Sequence, residues 1–107
     1  MQTGTELIAI ERKRQIEELG YDVKNDALYS KNELADAAIC YACTPDIRDQ
    51  DDEENGTSLN VVLWPWDEKY WNPTPDDRKR ELVKAGALIA AQIDRIIYEE
   101  SLINNTQ

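Results

Sequence analysis

The chain has 107 residues, enough for one domain and a single core, since a chain this short buries only about two-thirds of the surface it exposes when unfolded. Its 12 Lys and Arg stand against 22 Asp and Glu, a formal charge of -10, which repels phosphate backbones and anionic membrane surfaces at long range and sets aside generic nucleic-acid or membrane binding. No run approaches the roughly 18 apolar residues of a membrane span, and near the N-terminus the basic residues follow the apolar stretch, the reverse of a secretory signal.

A cytoplasmic protein is therefore expected, with its positive charge concentrated in two RKR runs at 12–14 and 78–80. Such clustering keeps a local basic pocket compatible with an acidic chain.

The first helix is announced by Thr3 with Glu6 three residues on, a capping box, and Gly20 is its expected stop. Within it Ile8, Arg12, Ile16 and Leu19 fall on one stripe, predicted to face inward. An arginine there requires an acidic partner or a ligand, and Asp36 on the next helix is the candidate partner. The segment 21–29 has no sustained period and reads as a loop.

Ser30 with Glu33 repeats the capping-box pattern and opens a second helix through ELADAAICYA, whose small residues Ala35, Ala37, Ala38 and Ala42 allow close helix approach. It is expected to stop before Pro45. Cys40 and Cys43 form a C-x-x-C at the end of this helix, not at the helix start a redox pair needs, and the chain has no histidine to complete a zinc set. They read as reduced structural thiols. Residues 46–58 read as a solvated acidic loop; Asp51, Glu53, Asn55 and Gly56 imitate the first half of a calcium loop, but Val62 stands where the bidentate Glu belongs.

From 59 to 74 the chain should be an extended Trp- and Pro-rich segment laid across the helices. Thr74, Pro75 and Asp77 then supply a cap, a first helical residue and an acidic first turn for a long helix over about 75–103. Leu82, Ala85, Gly86, Ile89, Ile93, Ile96 and Ile97 form one stripe of it, and Ala87, Leu88, Ala90 and Ala91 extend the apolar surface beyond that stripe. A helix apolar on more than one face is central in its bundle, shared with another copy, or both; both are expected. The fold class that follows is all-α, a single three-helix domain over 1–107 packing in a homo-oligomer, with a homodimer the modal state.

Three blocks, ERKRQIEELGYD, NELADAAICYA and WPWDEKYWNPTPDDRKRELVKAGALIAAQIDRI, together resemble a family of small phage and prophage proteins of undefined function. That family often carries an HDD-type segment after the first helix; the matching stretch here is Lys24, Asn25, Asp26. More distantly the chain looks like the MazG-like all-α nucleotide pyrophosphohydrolases, which place an E-x-x-E pair on one helix and an E-x-x-D on a later one. Carboxylates at i and i+3 share a helical face and can hold magnesium on a triphosphate. This resemblance implies Glu33, Asp36 and Glu81 as magnesium ligands, with Lys84 in place of the last acid.

Two functions follow. The first is a non-enzymatic accessory protein, of an anti-defence kind, that needs no cofactor, self-associates, and binds a small anionic, nucleotide-like ligand or a host protein. Arg12 and Arg14 would clamp phosphate and Trp64, Trp66 and Trp71 would stack a base. The alternative is the magnesium-dependent hydrolase. Structural readings stand beside both: Glu33 completing its capping box, Glu81 paired with Arg78 or Lys84 on a solvated face, and the tryptophans as core anchors.

Overall fold

The computed structural model describes residues 2–19, 32–48 and 63–105. Four helices appear in chain order, α1 (Gly4–Leu19), α2 (Glu33–Ala42), α3 (Pro45–Arg48) and α4 (Arg78–Asn105), with a 3-10 turn at Glu68–Tyr70 and no strand among the described residues. The fold is all-α, and among the described residues no helix is long and apolar enough to cross a membrane. The expected stop at Gly20, the Ser30 cap, the loop at 21–29 and most of the acidic loop lie outside the described residues.

Helix α1 begins as its sequence dictates. Thr3 Oγ1 accepts from the Glu6 amide at 3.2 Å while Glu6 Oε1 accepts from the Thr3 amide at 3.2 Å, which satisfies two orphan donors reciprocally. Its inward face differs from the predicted stripe. Glu11 and Gln15 are each 2% exposed, whereas Ile16 is 39% exposed. The cause is pairing: Arg80 of α4 lies 2.8 Å from Glu11, and Arg12 finds its acid in Asp94 of α4, 3.2 Å away, in place of Asp36. Ion pairs to α4 therefore turn a polar face of α1 inward, roughly 70° from the aliphatic one by the helical repeat of ~3.6 residues.

Helix α2 presents Leu34, Ala37, Ala38 and Tyr41 to Ala85, Leu88 and Ala91 of α4, and this is the core. Alanines on both sides let the backbones approach, the packing that the small residues predicted. Gln92 of α4 accepts from the Ala35 amide at 3.2 Å, satisfying a first-turn donor of α2. Helix α2 ends before Pro45 as expected, and Pro45 opens α3 where a loop is expected from residue 46.

Helix α4 is central, with both α1 and α2 packed against it. Its start is corrected by three residues: Thr74 and Pro75 belong to a turn, and Asp77 is the cap, its Oδ1 accepting from the Arg80 amide at 3.1 Å. Thr74 instead donates its amide to Glu81 Oε2 at 3.0 Å. Glu81 also binds Arg78 at 3.0 Å and is fully buried, not on the solvated face expected for it. Arg78 reaches further, to the carbonyls of Tyr41 and Ala42, closing the C-terminus of α2.

Of the residues that extend the long stripe, Ala87, Leu88 and Ala91 are buried and Ala90 is half-buried, while the isoleucines of the stripe and Leu82 face outward. At Gly86 the absence of a side chain has a use: Ile8 of α1 comes within 2.6 Å of where a Cβ would stand.

Candidate functional site

An aromatic group fixes the middle segment onto the helices. Trp64 meets Tyr41 edge-on at 5.7 Å and Trp66 edge-on at 5.4 Å, and Trp71 tilts against Tyr41 at 4.8 Å and Trp64 at 5.0 Å. These are the favourable geometries for rings with quadrupoles. Trp64 Nε1 donates to the Asp67 carbonyl at 3.1 Å, and the Asp67 side chain caps the 3-10 turn by accepting from Lys69. Tyr41 Oη accepts from the Asn72 amide at 3.3 Å. All three tryptophans pack against the core while remaining partly exposed.

Between this aromatic wall and the facing sides of α1 and α4 lies a cavity of about 290 Å³, at the small end of ligand pockets, which run to roughly 300–1,000 Å³. Its walls are Trp64, Trp66, Tyr41 and Tyr70 on the aromatic side and Glu11, Arg14, Gln15, Arg80, Lys84 and Leu88 on the helical side, with Asn72 at the margin. Three cations thus face one carboxylate in a chain whose overall charge is strongly negative.

That carboxylate is committed. Glu11 takes Arg14 at 2.8 and 2.9 Å and Arg80 at 2.8 Å. Burial alone pushes its pKa up, but the Arg14 hydrogen bond and the charges of Arg80 and Arg14 overcome this and hold it below the ordinary value. Glu11 is therefore a poor proton acceptor and serves to hold two guanidiniums at the rim. The Arg14 guanidinium is correspondingly held more firmly protonated, first by its bond to Glu11.

Lys84 is the cation left over. Its Nζ donates to the Asn72 carbonyl at 3.1 Å and sits 5.3 Å from the centre of the Tyr41 ring, and among the described residues no carboxylate lies within ion-pair distance. Burial first, and then the charge of Arg80, lowers its pKa from the ordinary lysine value. An anion beside Lys84 would offset these effects by its opposite charge. Gln15 adds an acceptor: its Nε2 donates to Glu11 at 3.3 Å, and its buried Oε1 has no hydrogen-bond partner among the described residues. The amide orientation is fixed by Glu11, because the reverse would set oxygen against carboxylate.

Of the residues singled out in the sequence, Arg14, Trp64 and Trp66 line this cavity. Arg12 is turned to Asp94, and Trp71 braces Tyr41 and Trp64 from behind. Arg80 comes from the second RKR run, whose clustering had left a local basic pocket open, whereas sequence reasoning missed Tyr41, Gln15 and Lys84, although Arg80, Lys84 and Leu88 at i, i+4, i+8 mark one face of α4. Glu33 and Asp36 lie in the first turn of α2 and Glu81 is sealed under Arg78; among the described residues no three acidic, Cys or His side chains converge as a metal site. Cys40 and Cys43 are not joined in a disulfide, and Cys40 is buried. No protein-family model, curated protein or solved structure matches the chain.

Proposed function

We propose that the chain is a non-catalytic binding module whose cavity takes a small anion bearing an aromatic ring, of the size of a nucleoside monophosphate, in keeping with the accessory-protein resemblance of its sequence blocks. The observation that carries this reading is the pairing of Lys84, Arg80 and Arg14 with Trp64, Trp66 and Tyr41 around one cavity, with no carboxylate at ion-pair distance from Lys84 among the described residues. Guanidiniums and an ammonium supply charge-assisted donors for phosphate, and flat rings supply a sequence-tolerant surface for a base. The open acceptor of Gln15 suits an exocyclic amine or a ribose hydroxyl. Glu11, ionised and held by two arginines, supports positioning in preference to proton transfer.

Titration calorimetry with nucleoside monophosphates, the matching nucleosides and inorganic phosphate, in the presence of a chelator, tests this. Nucleotides bind, nucleosides and phosphate bind more weakly, Lys84→Met weakens nucleotide binding by about tenfold or more, and Arg12→Lys leaves it unchanged because Arg12 faces Asp94. Absence of nucleotide binding at millimolar concentration sinks the reading. Magnesium-dependent release of pyrophosphate from a nucleoside triphosphate, lost in Glu81→Gln, replaces it with the hydrolase.

A further inference from the structure

Beyond the cavity, one face of α4 keeps large apolar side chains about half exposed. Leu82, Ile89, Ile93, Ile96 and Ile97 are between 44 and 58% exposed, apolar area whose removal from water favours association. Their spacing is informative. Positions 82, 86, 89, 93, 96, 100 and 103 alternate steps of four and three, the 3.5-residue period of a coiled-coil seam, maintained over roughly 30 Å of helix at ~1.5 Å per residue. The seam position that lacks a side chain, Gly86, is covered from α1 by Ile8. From 82 to 97 this stripe carries no charge.

The ends of the seam are charged, with opposite sign. Lys79, one turn before Leu82, and Glu100, one turn after Ile96, are both exposed, and neither has an ion-pair partner among the described residues. A parallel pair of such helices sets Lys79 against Lys79 and Glu100 against Glu100. An antiparallel pair brings the Lys79 of each copy alongside the Glu100 of the other and opposes the two helix dipoles favourably. The face is thus complementary to itself in one orientation, which is the requirement of a two-fold interface. The neighbouring arginines do not disturb this, because Arg78 and Arg80 are turned away to Glu81 and Glu11.

We infer that the Leu82–Ile89–Ile93–Ile96 face of α4 is the docking surface for a second copy of this chain, aligned antiparallel and locked at both ends by Lys79 and Glu100. The dimer leaves the cavity open, since Arg80, Lys84 and Leu88 lie on a different face of the helix.

Light scattering and sedimentation of the full chain at tens of micromolar and about 0.15 M salt test this. The expected mass is twice 12.3 kDa. Ile93→Glu yields monomers that keep the helical circular dichroism of the parent, since residue 93 is exposed within one copy. Lys79→Glu and Glu100→Lys each weaken the dimer by about tenfold, and the two together restore it, a rescue that a parallel pair does not give. A wild-type monomer overturns the inference, whether hydrogen exchange then finds residues 82–97 covered by the chain's own segments or leaves them free for another protein. A dimer indifferent to Ile93→Glu, or charge variants that do not rescue each other, overturns it as well.

Discussion

Arg80 Nη1 of α4 lies 2.8 Å from Glu11 Oε1 of α1, and the same carboxylate holds Arg14 one helical turn along its own helix. One buried acid therefore docks α1 on α4 and sets the spacing of two cations at the cavity rim.

Replacing that acid should cost stability in a pH-dependent way. Removing one partner of a buried ion pair costs about 3–5 kcal/mol, but Arg14 and Arg80 are each about a third exposed and can rehydrate; Glu11→Ala is expected to cost roughly 2 kcal/mol. Because the folded pKa of Glu11 lies below the ordinary 4.5, its contribution is present above that value and is lost as pH falls through the folded pKa. Urea midpoints measured from pH 7 to pH 3 should fall more steeply below about pH 4.5 for the parent than for Glu11→Gln. Equal slopes would show that the carboxylate is not held by the arginines.

Arg78 joins three groups, Glu81 and the carbonyls of Tyr41 and Ala42, so it caps α2 from α4. Arg78→Lys keeps the charge and loses the fork, and should destabilise by about 1–2 kcal/mol in chemical denaturation. Lys13→Ala, which removes an exposed contact to Glu17 at 4.0 Å, should lie within about 0.5 kcal/mol of the parent.

Trp71 braces the aromatic wall from the side away from the cavity. Trp71→Ala should cost roughly 3 kcal/mol and collapse the near-ultraviolet dichroism of the remaining rings, while Trp71→Phe should cost about 1.5 kcal/mol or less. A loss under about 1 kcal/mol for the alanine variant would remove Trp71 from the packing.

Gly86 and Ile8 make a sign test. Ala is about 1 kcal/mol better than Gly inside a helix, yet its methyl meets Ile8 Cδ1 at 2.6 Å and Cγ1 at 2.9 Å. Gly86→Ala alone is expected to destabilise by about 1 kcal/mol, and the same change in an Ile8→Ala background to stabilise by up to about 1 kcal/mol. A double-mutant cycle with no coupling contradicts the close approach of α1 to α4 at this point.

The sequence by itself determined what local chemistry decides. Thr3 and Glu6 cap α1 because a hydroxyl and a carboxylate three residues apart reach each other's amides with no help from the rest of the chain. ELADAAICYA was legible as a helix ending before Pro45, the alanines as a close-packing face, and the long helix as central, because propensity and periodicity are properties of one segment. Which face turns inward was decided by the partners. Helix α4 is apolar on several sides, so hydrophobicity alone left its orientation open; α2 offers alanines and α1 offers Glu11 and Arg12, and these select Ala85, Leu88, Ala91, Arg80 and Asp94 over the isoleucines. The same holds for the cavity. Arg14, Trp64 and Trp66 could be nominated by residue type, but Tyr41, Arg80 and Lys84 join them only when α2, α4 and the Trp segment are brought together. The start of α4 moved from Pro75 to Arg78 for a like reason: the Thr74 amide is drawn to the buried Glu81 carboxylate, a contact that local capping rules do not contain.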